Sequence, residues 1–416
     1  MLRIAGAVLT TFSAVLFLVV FLADLFGLHT NPYLGVLFFL LLPAGFVIGL
    51  VLFALGHWPA SWPRIDLNDA TQRATVTIVF ALTIVNVVIV SMAAYRGVEY
   101  MDSVAFCGQV CHTPMQPEFV AHQTGAHANV RCVDCHVGAG ASSFVSAKAA
   151  GTRRVLAVIR GNYSKPIVPA PSQLVKAVET CEGCHSPARY HGDKVRRVVE
   201  YADNEKNAET VTTLKVHVGG GDERRGLATG IHWHMNVANE IEYIATDKSR
   251  QTIPWVRMKD RDGHVREYVV AGTTSEQLSK GERRRMDCMD CHNRPSHVIA
   301  PTPERAVNDA MAVGAIPLSL PFIHRESVRA LKSGNPAALR DFYHTQPRDQ
   351  VERAVAAVQD IYRRNVFPSM NVTFGTYPDN IGHVDSPGCF RCHDDNHKSK
   401  DGKKIGQDCE TCHAIE

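Results

Sequence analysis

Three long apolar stretches open the chain, and everything after them is mixed in polarity. Residues 4–28 are almost unbroken in apolar character, with Asp24 and Gly27 near their end. Residues 33–56 carry no charge and contain Pro43, and residues 74–95 carry no charge either, only Asn86 and a few hydroxyl side chains. At a rise of about 1.5 Å per residue, each run is long enough to cross the hydrocarbon layer. The pattern predicts a transmembrane domain, residues 1–96, with three helices at about 4–28, 33–56 and 74–95. The rival reading of the first run is a cleavable signal peptide, but no small-residue cleavage site with a polar mature start follows it. It passes through His29-Thr-Asn-Pro32 straight into the second run, so a helical hairpin is expected.

Charge orients these spans. Arg3 precedes the first, Arg64 and Arg73 lie between the second and third, and the short link between the first two has no Lys or Arg. The positive-inside rule then puts the N-terminus in the cytoplasm and the rest of the chain outside. Trp58 and Trp62 fall where interfacial aromatics belong, and Asp24, near a span end, is expected at the interface.

From residue 97 onward the pattern is that of a soluble protein. Residues 141–160 alternate apolar with basic positions at helical spacing, including Phe144, Lys148, Arg153, Arg154 and Arg160, before Pro166, Pro169 and Pro171 break the chain. Residues 195–201, 210–218, 231–245 and 265–270 are rich in β-branched and aromatic side chains, with turn signals at Gly219–Gly221 and Asp262-Gly263. They predict a small antiparallel β insertion over 195–280. Val351, Ala354, Val355, Val358, Ile361 and Tyr362 recur at helical spacing up to Pro368.

The cysteines change this picture. Cys132-x-x-Cys135-His136, Cys181-x-x-Cys184-His185, Cys288-x-x-Cys291-His292, Cys389-x-x-Cys392-His393 and Cys409-x-x-Cys412-His413 share one pattern. Cys107-Gly-Gln-Val-Cys111-His112 has it with one extra residue. A cysteine pair followed at once by histidine is the attachment signature of c-type haem: two thioethers to the vinyl groups and a histidine for the iron. Zinc sites do not require a histidine after each second cysteine, and a thioredoxin-like motif would occur once. These six motifs use all 12 Cys, leaving none for a disulfide or a nucleophile. The fold class expected is a multihaem cytochrome c with six covalently bound haem c groups. Three N-terminal transmembrane helices precede a haem-packed domain with little regular structure, a small β insertion and a few helices. Its soluble segments are 97–194 and 281–416, three motifs each, flanking the insertion. Covalent haem attachment takes place outside the bacterial inner membrane, so this part is expected in the periplasm, in agreement with the charge rule. The formal charge of +3 turns acidic once haem propionates are added, and the dispersed Lys and Arg lack the aromatic interleaving of a nucleic-acid groove.

A low-spin haem needs a second axial ligand, usually His or Met. The candidates near motifs or in local signatures are His127, His191, His232, His234, His297, His383 and His397, in addition to the motif histidines. His232 and His234 share a face if their segment is a strand, and then only one is expected to be a ligand. Met115, three residues after His112, can reach the same iron; the alternative is that it packs on the haem plane. Which of Met115 and His112 ligates the first haem stays open. His29 and His57 fall on opposite sides of the membrane, so no haem within the bilayer is expected.

The first motif with its nearby Met115, the stretch His127 to His136 and the following Lys148 resemble the NapC/NirT family of membrane-anchored quinol dehydrogenases. Gly230-Ile-His-Trp-His-Met235, Cys288 to Pro295 and Ser369 to Tyr377 resemble its longer, three-span inner-membrane subgroup of ImcH type. The core resemblance covers about residues 75–190. It implies menaquinol oxidation where the first haem meets the membrane, with Met115 as its axial ligand and Lys148 in the quinol pocket. The family's acid has no match after Lys148, where the chain reads Ala149-Ala-Gly-Thr-Arg-Arg154; Asp102 and Glu118 are the substitutes. The cysteine spacing of the first motif and six rather than seven haems also depart from the pattern. Electrons are expected to leave for periplasmic multihaem cytochromes or a terminal reductase. Two other readings compete: a conduit subunit of a larger respiratory complex without its own quinol site, and a terminal multihaem reductase, for which the chain lacks a C-x-x-C-K motif.

Overall fold

The computed structural model describes residues 2–25, 41–56, 66–110, 112–137, 141–167, 176–185, 192–222, 227–235, 239–260 and 262–415. The expectations for His29, His57, Trp58, Trp62, Arg64, Pro169, Pro171, Cys111, His191 and the side chain of His112 lie outside the described residues. The chain divides into two compact units: Met1–Met115 with Arg131–Val133, and Gln116–Val130 with Asp134–Glu416.

The first unit is helical. Helices Leu2–Leu25 and Ala70–Met101 are each long and apolar enough to cross a membrane, and Leu42–Leu55 is a shorter apolar helix of 14 residues. The rest of the predicted second span lies outside the described residues. Helices Leu2–Leu25 and Leu42–Leu55 meet through small residues. A Cβ on Gly6 would stand 2.8 Å from the Gly49 carbonyl, and one on Gly45 would stand 2.9 Å from Ser13 Oγ. Such close backbone approach is how helices associate where no hydrophobic force separates them from lipid. Ala70–Met101 is longer than its apolar run because its ends are polar. Asp69 caps it, accepting from the backbone N–H of Thr71 and Gln72 at 2.7 and 3.0 Å. Asp102 is its C-terminal cap.

The second unit holds the strands. β1 (Lys194–Tyr201) and β2 (Glu209–Val216) form a hairpin, β3 (Gly220–Asp222) pairs with β4 (Leu227–Thr229), and a five-stranded antiparallel sheet follows. Its members are β5 (Glu240–Ala245), β6 (Trp255–Lys259), β7 (Val265–Val270), β8 (Glu282–Arg285) and β9 (His397–Lys398), in the order β8-β5-β6-β7-β9. β10 (His413–Ile415) joins the first hairpin beside β2. The tail of the chain is thus sewn into both sheets, with Val270 opposite His397 and Val216 opposite His413. Tyr243, Ile241, Ile253, Val256 and Tyr268 form the core under the larger sheet.

The expected strand over 231–245 divides in two. Residues Ile231–Met235 form a 3₁₀ turn, and only from Glu240 does the chain become β5. Gly230 causes the division. It has φ +73, and a Cβ there would collide with the His217 carbonyl. The N–H groups of Ile231 and His232 then bond to the carbonyls of His217 and Val218 at 2.8 and 3.0 Å, which winds the segment into a turn.

Helices Pro303–Ala312, Ile323–Lys332 and Arg348–Asn365 pack around Val307, Met311, Ile316, Leu320, Ile323, Leu331, Val355 and Val358. Only the third was foreseen from periodicity. Ile323 is fully buried at 0% exposure, whereas Val313 is 80% exposed. Ile323→Ala should destabilise this helical cluster by about 2–5 kcal/mol, read by chemical denaturation. Val313→Ala should change it by less than about 0.5 kcal/mol.

Candidate functional site

Four cysteine pairs sit on short helical turns: Cys132–His136, Cys288–Cys291, Gly388–Arg391 leading to Cys392, and Cys409–Cys412. The pair Cys181 and Cys184 lies on a hydrogen-bonded turn. Spacing of three on a turn puts both sulfurs on one side. Aspartates begin two of them: Asp287 accepts from Met289 N–H at 2.8 Å and Asp408 from Glu410 N–H at 3.2 Å. No cysteine forms a disulfide among the described residues. Burial pushes the thiols of Cys291 and Cys392 up to about 12, the opposite of what a thiolate metal ligand needs.

The histidine after each of the five regular motifs faces a second histidine from a distant segment. Ring centroids are 6.3 Å apart for His136 and His297, 6.0 Å for His185 and His127, and 6.4 Å for His292 and His232. They are 5.8 Å apart for His393 and His234 and 6.1 Å for His413 and His383. With a metal–nitrogen bond of about 2.0 Å on each side, two trans imidazoles hold their centroids roughly 6 Å apart. All five separations suit a metal held between the rings. The structure thereby brings together ten of the candidate ligands as pairs, and His232 and His234 both face a motif histidine, on different motifs. The reason is the 3₁₀ turn, which points them apart where a strand would have aligned them.

Hydrogen bonds prepare several of these rings. A carbonyl only accepts, so an Nδ1 bonded to one carries the proton and leaves the Nε2 lone pair for a metal. His127 Nδ1 donates to the Pro295 carbonyl at 3.0 Å, His297 to Glu118 at 3.0 Å, His234 to Ile231 at 2.7 Å and His393 to Gly406 at 2.9 Å. Burial holds His136, His232, His234, His292 and His297 below the ordinary histidine range, so they are neutral at pH 7, the ligating form. His397 is arranged differently. It is 1% exposed, its Nδ1 bonds Asp394 at 2.8 Å and its Nε2 bonds the Ile253 carbonyl at 2.7 Å. Both nitrogens are engaged, and it ties β9 to the loop before β6.

The remaining candidates stand apart. Met115 is half-buried in the first unit, on helix His112–Thr124. Asp102 also lies in the first unit. Lys148 lies in the second, half-buried on helix Ala141–Ile159. Glu118 is spoken for: it receives Arg294 at 2.9 Å and stands 3.3 Å from His297 Nδ1. Arg294 in turn lies 3.8 Å from the centre of the Tyr377 ring, whose hydroxyl burial pushes up to about 12.

Sequence reasoning missed His122, which is 5% exposed, 6.3 Å from His297 and bonded through Nε2 to the Val130 carbonyl at 2.9 Å. It also missed Asp290 and Arg391, charged residues between the cysteines of the fourth and fifth motifs. Asp290 is 3% exposed, accepts from the Tyr243 hydroxyl and the Asp287 N–H, and pairs with Arg284 at 3.3 Å and Arg250 at 3.9 Å. Every regular motif encloses a charge, namely Asp134, Glu182, Asp290, Arg391 or Glu410, so that feature singles out neither residue.

The sequence signature of the NapC/NirT cytochrome c family, N-terminal region, matches residues 69–167. Cytochrome c-type protein ImcH of Geobacter sulfurreducens is 37% identical over 417 residues, covering 92% of this chain and 82% of that protein. No solved structure matches this chain.

Arg294 and Glu118 have side chains only 11% and 14% exposed. Arg294→Ala leaves the carboxylate buried without its cation, at a cost of about 3 kcal/mol or more. The expected outcome is a lower thermal transition and a weakened hold on His297, seen as a changed absorption spectrum of the group that His136 and His297 flank. Glu118→Gln, which keeps a hydrogen-bond acceptor, should cost less.

Proposed function

The chain belongs to the NapC/NirT cytochrome c family, and on that premise we propose that it is a membrane-bound hexahaem cytochrome that oxidises menaquinol. It does so at the periplasmic face of the inner membrane and passes the electrons along its haems to periplasmic acceptors. Covalently bound haem follows from the family; the count of six rests on the motifs. The observation that carries the electron-transfer reading is the set of five opposed histidine pairs, each beside its own cysteine pair. Bound at those positions, haem supplies one-electron carriers.

The chain's own residues do the rest. In each regular site, the motif histidine and its opposed partner from elsewhere in the chain would both hold the haem iron, a donor set that would leave no place for a substrate and so disfavours the terminal-reductase reading. The third, fourth and fifth sites are also linked. His127, which faces the third motif's histidine, donates to the Pro295 carbonyl just after the fourth motif, and His232 and His234, on one turn, face the histidines of the fourth and fifth motifs. The first site is different: Met115 supplies its thioether, and it is the entry for electrons. A quinol gives up two protons and two electrons. Lys148 would donate to a quinol oxygen, and Asp102 and Glu118 are the candidate bases for its protons; Glu118 also holds Arg294 and His297. The apolar helices keep this entry at the lipid surface, with the N-terminus cytoplasmic and the haem domain periplasmic. The glycine-lined packing of Leu2–Leu25 on Leu42–Leu55 favours a retained anchor over a cleaved leader.

The engagement of Glu118 favours one second reading, a conduit subunit fed by a separate quinol-oxidising protein, since it occupies one of the two candidate acids. Reconstituted in lipid nanodiscs and mixed with a menaquinol analogue, the purified protein should show reduced-haem absorption bands, suppressed by a quinone-site inhibitor. Haems that remain oxidised with the quinol yet reduce with dithionite would decide for the conduit. Lys148→Ala should slow quinol-driven reduction at least tenfold with dithionite reduction intact.

The ring planes offer a separate check. Imidazoles at 77° and 82° flank the third and fifth sites, and at 14° and 24° the fourth and sixth. Near-perpendicular ligands give ferric haem a single large-g resonance, and near-parallel ligands give a rhombic spectrum. Electron paramagnetic resonance of the oxidised protein should contain both kinds. Replacing His127 with Ala should convert one large-g signal to high spin.

A further inference from the structure

The fourth and fifth motifs are tied to each other twice. Their distal histidines, His232 and His234, are two residues apart on one 3₁₀ turn that Gly230 and the His217 and Val218 carbonyls fix in place. A second tie comes from inside the motifs. Arg391, between Cys389 and Cys392, donates from all three of its nitrogens to main-chain carbonyls. Nε bonds Gly388 at 2.8 Å, one terminal nitrogen bonds Arg250 at 3.0 Å, and the other bonds Asp290 at 2.7 Å. Asp290 lies between Cys288 and Cys291. Its carbonyl also accepts from Asn380 at 3.0 Å, and Asn380 accepts from Gln251 at 3.0 Å. Its buried side chain is fixed by Tyr243 and Arg284. Gly388 cannot be replaced without disturbing this: it has φ +49, and a Cβ there would collide with the Gly382 carbonyl that receives the Cys389 N–H.

We propose that Arg391 is a positioning residue that locks the fourth and fifth attachment motifs into one rigid body, so that the two haems held there act as a coupled pair and not as independent carriers. This rests on the haem reading of the histidine pairs. Two physical consequences follow from one side chain. The guanidinium spans carbonyls of three segments, a task that needs its planar fork and that an ammonium cannot perform. It also places a fixed positive charge between the motifs. An electron added near a fixed cation is stabilised, so the charge raises the potential of both haems. An electron on one haem opposes an electron on the other, so close and rigid placement splits their titration.

The test is a redox titration of the full-length protein followed by electron paramagnetic resonance, with haem content measured by the pyridine haemochrome method. In the wild type, the rhombic signal of the His232 and His292 site and the large-g signal of the His234 and His393 site should titrate interdependently. Arg391→Gln, which removes the charge and the fork, should lower both potentials, shift both signals and weaken the interaction. Arg391→Lys, which keeps the charge, should hold the potentials near wild type and still weaken the interaction. Variants with full haem content and unchanged curves would overturn the proposal. So would a wild type in which the two signals titrate independently, and that measurement decides even if a variant fails to incorporate haem. Absence of low-spin bis-histidine signals from the wild type would instead sink the haem reading beneath it.

Discussion

A histidine binds a metal through one nitrogen, and what it does with the other decides whether it will. In this chain the deciding interaction is an Nδ1–H bond to a main-chain carbonyl. It fixes the tautomer, stops the ring from turning and leaves Nε2 bare. The carbonyls that perform it belong to Pro295, Glu118, Ile231 and Gly406. Two of them tie one histidine pair to the chain around another motif. The Pro295 carbonyl, just after the fourth motif, holds His127, which faces the third motif's histidine. Glu118 and Arg294 hold His297, which faces the second motif's histidine.

That interaction also explains which parts of the site were legible in the sequence. Motif histidines are legible because the cysteine spacing is local. Distal histidines are legible as a set because low-spin haem requires them, but not as pairs, because pairing depends on carbonyls far away in the chain. His397 shows the limit. It looked like a ligand beside the fifth motif, yet Asp394 three residues earlier takes Nδ1 and the Ile253 carbonyl takes Nε2. His232 and His234 show another. The sequence Ile-His-Trp-His-Met has the alternation of a strand, and the turn it forms is dictated by Gly230 and by partners at His217 and Val218 that no local pattern reveals.

The fold was legible in proportion to its periodicity. The apolar runs, the helix over 141–159 and the helix ending near Pro368 follow from repeat spacing alone. β6 carries Arg257 and Lys259 on an outward face, paired with Glu242 and Glu240, and so lacks a strand's apolar signature. The helices Pro303–Ala312 and Ile323–Lys332 bury polar residues, among them Asn308, His324 and Glu326, which mask their apolar face. His324 and Asn308 are held by partners in the first hairpin and its turn: Asp203 for the histidine, the Tyr201 N–H for the asparagine. These are tertiary bonds, and they override the local pattern.

The residues between paired cysteines are usually treated as spacers, since only the spacing is needed for attachment. Here two of them are structural centres. Asp290 collects a tyrosine, two arginines and a backbone N–H on its side chain and two donors on its carbonyl. Arg391 spends its whole guanidinium on carbonyls, with no carboxylate among the recipients. An arginine satisfied by neutral carbonyls keeps its net charge, whereas one paired with an acid does not. A retained positive charge between two redox sites therefore has an electrostatic consequence as well as a mechanical one, and the two can be separated because lysine preserves the first without the second.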